Sequence, residues 1–365
     1  MGSYVAITGY GMVNHLGKNV QEAWSRLQLL NALESIEDVR PLDVTEYFEK
    51  KERKRLDSFT RYAMVASMEA LTHANINSPH ETKGMGVYVG AAGNGADQFL
   101  LDNHLLLLER GPKRVSPYYS SASMINSPPA EIAIKNGSHG PSGTIIAGEA
   151  GSLIAIGHGL RAIQNEGTSL IVAGGTQGDI SDLTREGYER LNISQSDQRA
   201  YHPYTEDSKG PVLCAGAGSI VMESMESAER RGADILGTVM GFSMGTRLDR
   251  MEESYTATMR SALKDAGVTP KEVSIVIPQA AGIPSYDRAE EMAMDAVFQG
   301  ATVPTHVFKR KTGNLMAAIG VTNTIFALQT LAFTREQKRW GNEAIAMINC
   351  FDFQGHNASL VIKLA

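Results

Sequence analysis

The feature that most limits what this chain can become is the alternation of short β-branched runs with longer stretches of helical period. Residues 5–8, 86–90, 144–147, 169–173, 218–223, 273–277 and 344–348 read as strands. They are continuously apolar, the pattern of strands covered by helices on both faces. Between them, residues 60–74, 153–165, 255–266 and 287–298 repeat apolar side chains at three and four positions, as amphipathic helices do. The class is α/β. With 365 residues, 42% of them apolar, the chain can fill a large core. Pro-rich and Ser-rich linkers are absent, so one compact unit of two halves is expected, 1–231 and 232–365. The mixed-charge stretch 223–232 reads as a solvated helix ending at Gly232 near the midpoint. Each half runs from a strand through a small-residue turn into a helix, at 145–160 and 276–292, which suggests a pseudo-repeat.

The net charge of −6 arises from 34 basic and 40 acidic side chains, spread along the sequence without a block of either sign, so no nucleic-acid partner is expected. Cys214 and Cys350 make neither a disulfide framework nor a metal cluster; buried, inert thiols in a reducing compartment are expected. The first residues lack the basic and long apolar regions of a signal peptide, which predicts a cytoplasmic location. The best membrane candidate, 315–333, is interrupted by Thr322, Asn323 and Gln329 and reads as a buried helix, so no membrane partner is expected. His158 and His356 have no companions at metal-ligand spacing, and Gly9, Gly11 and Gly17 lack dinucleotide spacing; neither metal nor cofactor is expected.

The segment from Gly140 to Leu153 joins a strand to a helix through small residues and one charge, Glu149, and is followed by the apolar run 167–177. This shape resembles the nucleophile elbow of the β-ketoacyl-acyl-carrier-protein synthases of the thiolase superfamily. The resemblance extends through the opening strand 5–13, the loop 111–117, the turn 214–218, Asp287 to Glu290, Lys309 to Leu315, and 349–357. In the turn, Cys214 and Ala215 replace a glycine and an acid. The resemblance implies a layered α-β-α-β-α architecture built from two pseudo-repeated halves.

Active members of that family use a cysteine that accepts the acyl chain and two histidines that promote malonyl decarboxylation. Aligned on the flanking small residues, Glu149 stands at the cysteine, Gln279 at the first histidine and Asn314 at the second, while Lys309 keeps the family lysine. A carboxylate is a poor acyl acceptor, because its mixed anhydride lies above the thioester. Amides lack the transferable proton of imidazole, a role worth roughly 10²–10⁴ in rate. No catalytic residues are therefore expected. Glu149 has two readings: a charge at the N-terminus of the following helix, or a partner-facing, tunnel-shaping group. Lys309 is either its buried counter-ion or a solvated lysine, and Gln279 and Asn314 are expected to satisfy one another or nearby backbone.

The family dimerises through the strand before the nucleophile, which implies Thr144, Ile145 and Ile146 at an interface. It also implies that residues 118–129 line or gate an acyl tunnel, with Tyr118 and Met124 as candidates; the plain alternative for Met124 is core packing. Phe351, Phe353 and Gly355 correspond to the family's gating loop, in which Asp352 and Gln354 replace two glycines. The shortened segment 334–343 implies a trimmed rim. Together these departures resemble the degenerate partner subunit of polyketide systems, the chain-length factor, which would pair with an active ketosynthase and work with an acyl carrier protein. The alternatives are a stand-alone malonyl decarboxylase or acyltransferase using Glu149 as a base, and a carrier-protein docking module.

Overall fold

The computed structural model describes residues 4–29, 42–93, 95–246, 249–336 and 344–365. Among them, nine strands form one sheet: β1 (Val5–Asn14), β2 (Gly86–Ala91), β3 (Ser142–Ile146), β4 (Leu170–Gln177), β5 (Gly216–Ser224), β6 (Gly237–Thr246), β7 (Ile275–Ile277), β8 (Ile345–Phe351) and β9 (His356–Leu364). Their order is β3-β2-β4-β5-β1-β6-β9-β8-β7. β1 pairs with β5 along its length but with β6 only through Val5–Ile7, so two half-sheets meet at a narrow seam.

Of the fourteen α-helices among the described residues, seven matter most for the layers: α1 (Ser58–His73), α2 (Asp97–Arg110), α3 (Ser127–Lys135), α4 (Gly151–Asn165), α5 (Met251–Ala266), α6 (Pro284–Phe298) and α7 (Ile319–Glu336). α4 and α7 pack on each other between the half-sheets, α1 and α3 cover the outside of the first, and α5 and α6 that of the second. One apolar core surrounds the middle helices and meets both half-sheets, and one more lies beneath the outer helices of each half-sheet. The expected α-β-α-β-α architecture is the observed one. α7 and the turn before it are apolar enough to cross a membrane, but 83% of that window is buried inside the protein, as a central core helix requires.

The seven expected strands all form, although 273–277 shortens to Ile275–Ile277 because Pro270–Glu272 makes a 3-10 turn ahead of it. Two strands lay hidden. In β6 the glycines at 237, 241 and 245 dilute the apolar signal, and Gly241 is required because a Cβ there would lie 2.3 Å from the Ala266 N of α5. β9 opens on His356, Asn357 and Ser359, polar residues that the fold nevertheless pairs with β6.

The pseudo-repeat is real but differently framed. Outward from the seam, β1-β5-β4-β2 is mirrored by β6-β9-β8-β7, and the parallel bridge Val276↔Thr305 stands where β3 stands beside β2. The counterpart of Val276 is thus β2, not the Ile145 strand. The charges are also less evenly spread than expected: in the short helix Lys50–Arg55 five of six residues are basic.

Candidate functional site

β3 ends at Ile146, and the chain turns through the 3-10 segment Gly148–Ala150 directly into α4. Gly148 adopts φ 52°, a left-handed conformation open to glycine, and this sharp reversal aims Glu149 inward at 9% exposure. Three side chains from the second half converge on its carboxylate. Asn314 Nδ2 donates to Oε1 at 2.9 Å. Lys309 Nζ, 2% exposed, and Gln279 Nε2 both donate to Oε2, at 3.0 and 2.5 Å. Lys309 also donates to the Gln279 carbonyl at 2.9 Å, closing the cluster on itself.

Each donor is held from behind. The turn after β7 is braced by Glu290 of α6, whose carboxylate accepts the N–H groups of Gln279 at 2.7 Å and Ala280 at 2.8 Å. Asp287, one turn earlier, accepts from Gly282 at 3.0 Å and Tyr204 at 2.8 Å. These bonds stabilise Ala280 at φ 46°, unusual for a residue with a side chain. Burial pushes the Glu290 carboxyl up to about 7, and that of Asp287 upward as well. Asn314 is fixed by its N–H to Val212 O and its O from Cys214 N–H, both 2.8 Å, while its Oδ1 accepts the Met316 N–H at 2.9 Å.

These contacts decide between the alternatives left open by the sequence. Lys309 is the buried counter-ion of Glu149. The carboxylate does not cap α4, whose first turn carries no side-chain cap. Gln279 and Asn314 were expected to satisfy one another or nearby backbone; only Asn314 Oδ1 does the latter, accepting the Met316 N–H, and both NH₂ groups turn to Glu149, the group that offers acceptors. Cys214 and Cys350 are buried, and burial holds both thiols up, Cys214 at about 12, so neither supplies a thiolate.

A pocket beside Glu149 is lined by Tyr188, Tyr286, Gln279, Asn314, Phe351 and Phe353 among others, with a free volume of about 10 Å³. That is room for about one water, and none for an acyl chain. Phe351 and Phe353 thus line the site, while Gly355 stays off it and closes the turn that carries Phe353. Phe351 stacks on Tyr255 with centroids 4.1 Å apart, Phe353 meets Tyr188 edge-on at 5.5 Å, and Gly355 turns at φ 104°. Asp352 accepts the Glu149 N–H at 3.0 Å. Tyr188 and Tyr286 carried no sequence signal, since only the tertiary fold brings the 182–190 and 284–298 helices here.

Tyr118 and Met124 are absent from this pocket and lie on the surface. At 56% exposure Met124 does not pack in the core, which removes that alternative. Thr144, Ile145 and Ile146 lie on β3, an edge strand with β2 on one side only; Ile146 is 50% exposed, and Thr144 Oγ1 donates to Ile125 O at 3.1 Å. Residues 337–343 of the shortened segment fall outside the described residues. Among the described residues no cluster of metal-ligating side chains forms.

The family model "Beta-ketoacyl synthase, N-terminal domain" matches residues 31–228, and "Beta-ketoacyl synthase, C-terminal domain" matches 237–334. The chain is 28% identical to a 3-oxoacyl-[acyl-carrier-protein] synthase 2 of Staphylococcus aureus (strain COL), with 98% of both chains covered. A protein of the same name from Synechocystis sp. is 27% identical, covering 98% of this chain and 97% of that one. Among solved structures, a type II PKS acyl-carrier protein in complex with its ketosynthase superposes with TM-score 0.84 at 19% identity, and the ishigamide ketosynthase/chain length factor with 0.83 at 20%. Both cover the whole of each chain. By sequence and by fold, the chain belongs to the beta-ketoacyl synthase family.

Proposed function

We propose that this chain is a non-catalytic subunit of the chain-length-factor kind, which pairs with an active ketosynthase and shapes the tunnel in which an acyl chain grows on a carrier protein. The observation that carries this reading is the threefold grip of Lys309, Gln279 and Asn314 on Glu149. Where condensation needs a thiolate and two imidazoles, this chain has a carboxylate already bonded to an ammonium and two amides. The frame around that site is nevertheless complete, and its surface favours a partner. β3 offers an unpaired edge, a ready template for another strand. α2 buries only Asn103 and exposes Leu105, Leu107 and Leu108, on the same chain as exposed Tyr118 and Met124. Large apolar side chains left exposed along one helix favour an interaction surface there. The ketosynthase/chain length factor among the structural neighbours is a pairing of the proposed type.

Co-expression with an active type II ketosynthase that retains its cysteine and two histidines tests the reading. A co-eluting heterodimer whose product length changes with substitutions in this chain is expected. A soluble monomer that ignores every such ketosynthase would overturn it. The synthase names of the sequence relatives favour the second reading, an enzyme active alone; release of carbon dioxide from malonyl-loaded carrier protein by the isolated chain would establish that instead.

A further inference from the structure

The turn after β8 carries a buried acid where a moving loop would carry a small residue. Asp352 is 1% exposed, and its carboxylate accepts two backbone N–H groups, that of Glu149 at 3.0 Å and that of Gln354 at 2.7 Å. Its own N–H donates to His356 O at 2.8 Å, and its carbonyl accepts from Gly355 N–H at 2.9 Å. The turn is therefore closed on itself and fastened to the elbow by charge-assisted bonds, the stronger kind. The fit is tight: a Cβ on Gly148 would lie 2.0 Å from Asp352 Oδ1. Phe353 rides on this turn, edge-on to Tyr188, and its carbonyl accepts from the Tyr286 hydroxyl at 3.4 Å. The carboxylate also occupies the N–H of residue 149, the donor that an acyl carbonyl placed at the elbow would need.

We infer that Asp352 is a latch, a positioning residue that holds the 352–356 turn shut over the elbow. A thioester delivered by a carrier protein is thereby kept out of this subunit's own former site and left to the partner's. The inference rests on the reading that this chain performs no condensation itself.

Amide hydrogen exchange on the full chain, wild type against Asp352→Asn and Asp352→Gly, tests it. Asparagine keeps one acceptor oxygen but turns an NH₂ toward the second N–H. Exchange at Glu149 and across 353–355 should rise at least tenfold in both variants, while the amides of β4 and β5 change less than twofold. Thiol labelling gives a second readout. The native cysteines are buried, so iodoacetamide should modify Glu149→Cys/Asp352→Gly at residue 149 at least tenfold faster than Glu149→Cys alone. Unchanged exchange and equal labelling would overturn the latch. So would a rise shared equally by β4 and β5, which would make Asp352 a general support of the fold. Failure to pair with any ketosynthase would sink the proposed function, and it is read in a separate experiment from loop exchange.

Discussion

Replacing Glu149 removes the charge that Lys309 was buried against, and that sets the cost. Breaking a buried ion pair from one side destabilises by about 3–5 kcal/mol, because the other charge is left without compensation. Glu149→Gln should therefore lower the urea midpoint sharply, whereas Glu149→Gln/Lys309→Met should recover much of the loss, a coupling that a double-mutant cycle reads directly. A single variant within about 0.5 kcal/mol of wild type, the range of ordinary surface changes, would show that the pair holds nothing. The four positions were legible in the sequence. Their bonding was not, since Glu149 lies 130 residues from Gln279 and 165 from Asn314, and the direction of an amide depends on what the fold puts in front of it.

At the scale of elements, α6 and β3 each make a prediction. α6 presents Glu290 to the turn after β7, and α1 presents Glu69 to the N–H groups of Met12 and Val20, both carboxyls raised to about 7 by burial. A carboxyl with a raised folded pKa contributes stability that is fully present below its unfolded value near 4.5 and is lost as pH rises through about 7. His73, beside Tyr10, and half-buried His306 are shifted down by partial desolvation and act in the opposite sense, losing stability as pH falls below about 6.5. Urea unfolding between about pH 6.5 and 8 sets the two carboxyls against only the upper tail of the histidine titration, and stability should fall across that window; a flat or rising profile would contradict it. For β3, Ile146→Lys adds charge to an exposed edge position. The lone chain should change by no more than about 0.5 kcal/mol, while pairing with a ketosynthase should be lost in size-exclusion runs. Unaltered pairing would move the interface elsewhere. The sequence located β3 and the five longest helices by their periods, but it passed over β6 and β9, where glycines and polar residues mask strands that pairing partners impose.

For the whole molecule, two half-sheets share a middle layer, α4 against α7, and the elbow and its three gripping side chains come from opposite sides of that layer. Association should stabilise such a chain by mass action. At a ketosynthase concentration about 100 times the dissociation constant, the gain is about 2.7 kcal/mol, seen as a melting temperature that rises with partner concentration. A melting temperature independent of the ketosynthase would argue that the exposed edge and apolar helix face serve something else.

The sequence by itself determined the α/β class, the elbow and the absence of thiol and imidazole from it, because those follow from residue type and local period. Tertiary structure decided that Lys309 is the counter-ion, that both amides serve Glu149, that Met124 lies outside the core, and that Asp352 bonds the turn after β8 to the elbow. The physical reason is that a charge or amide is defined by its partners, and here the partners are brought together across the seam between two halves by packing that no local pattern encodes.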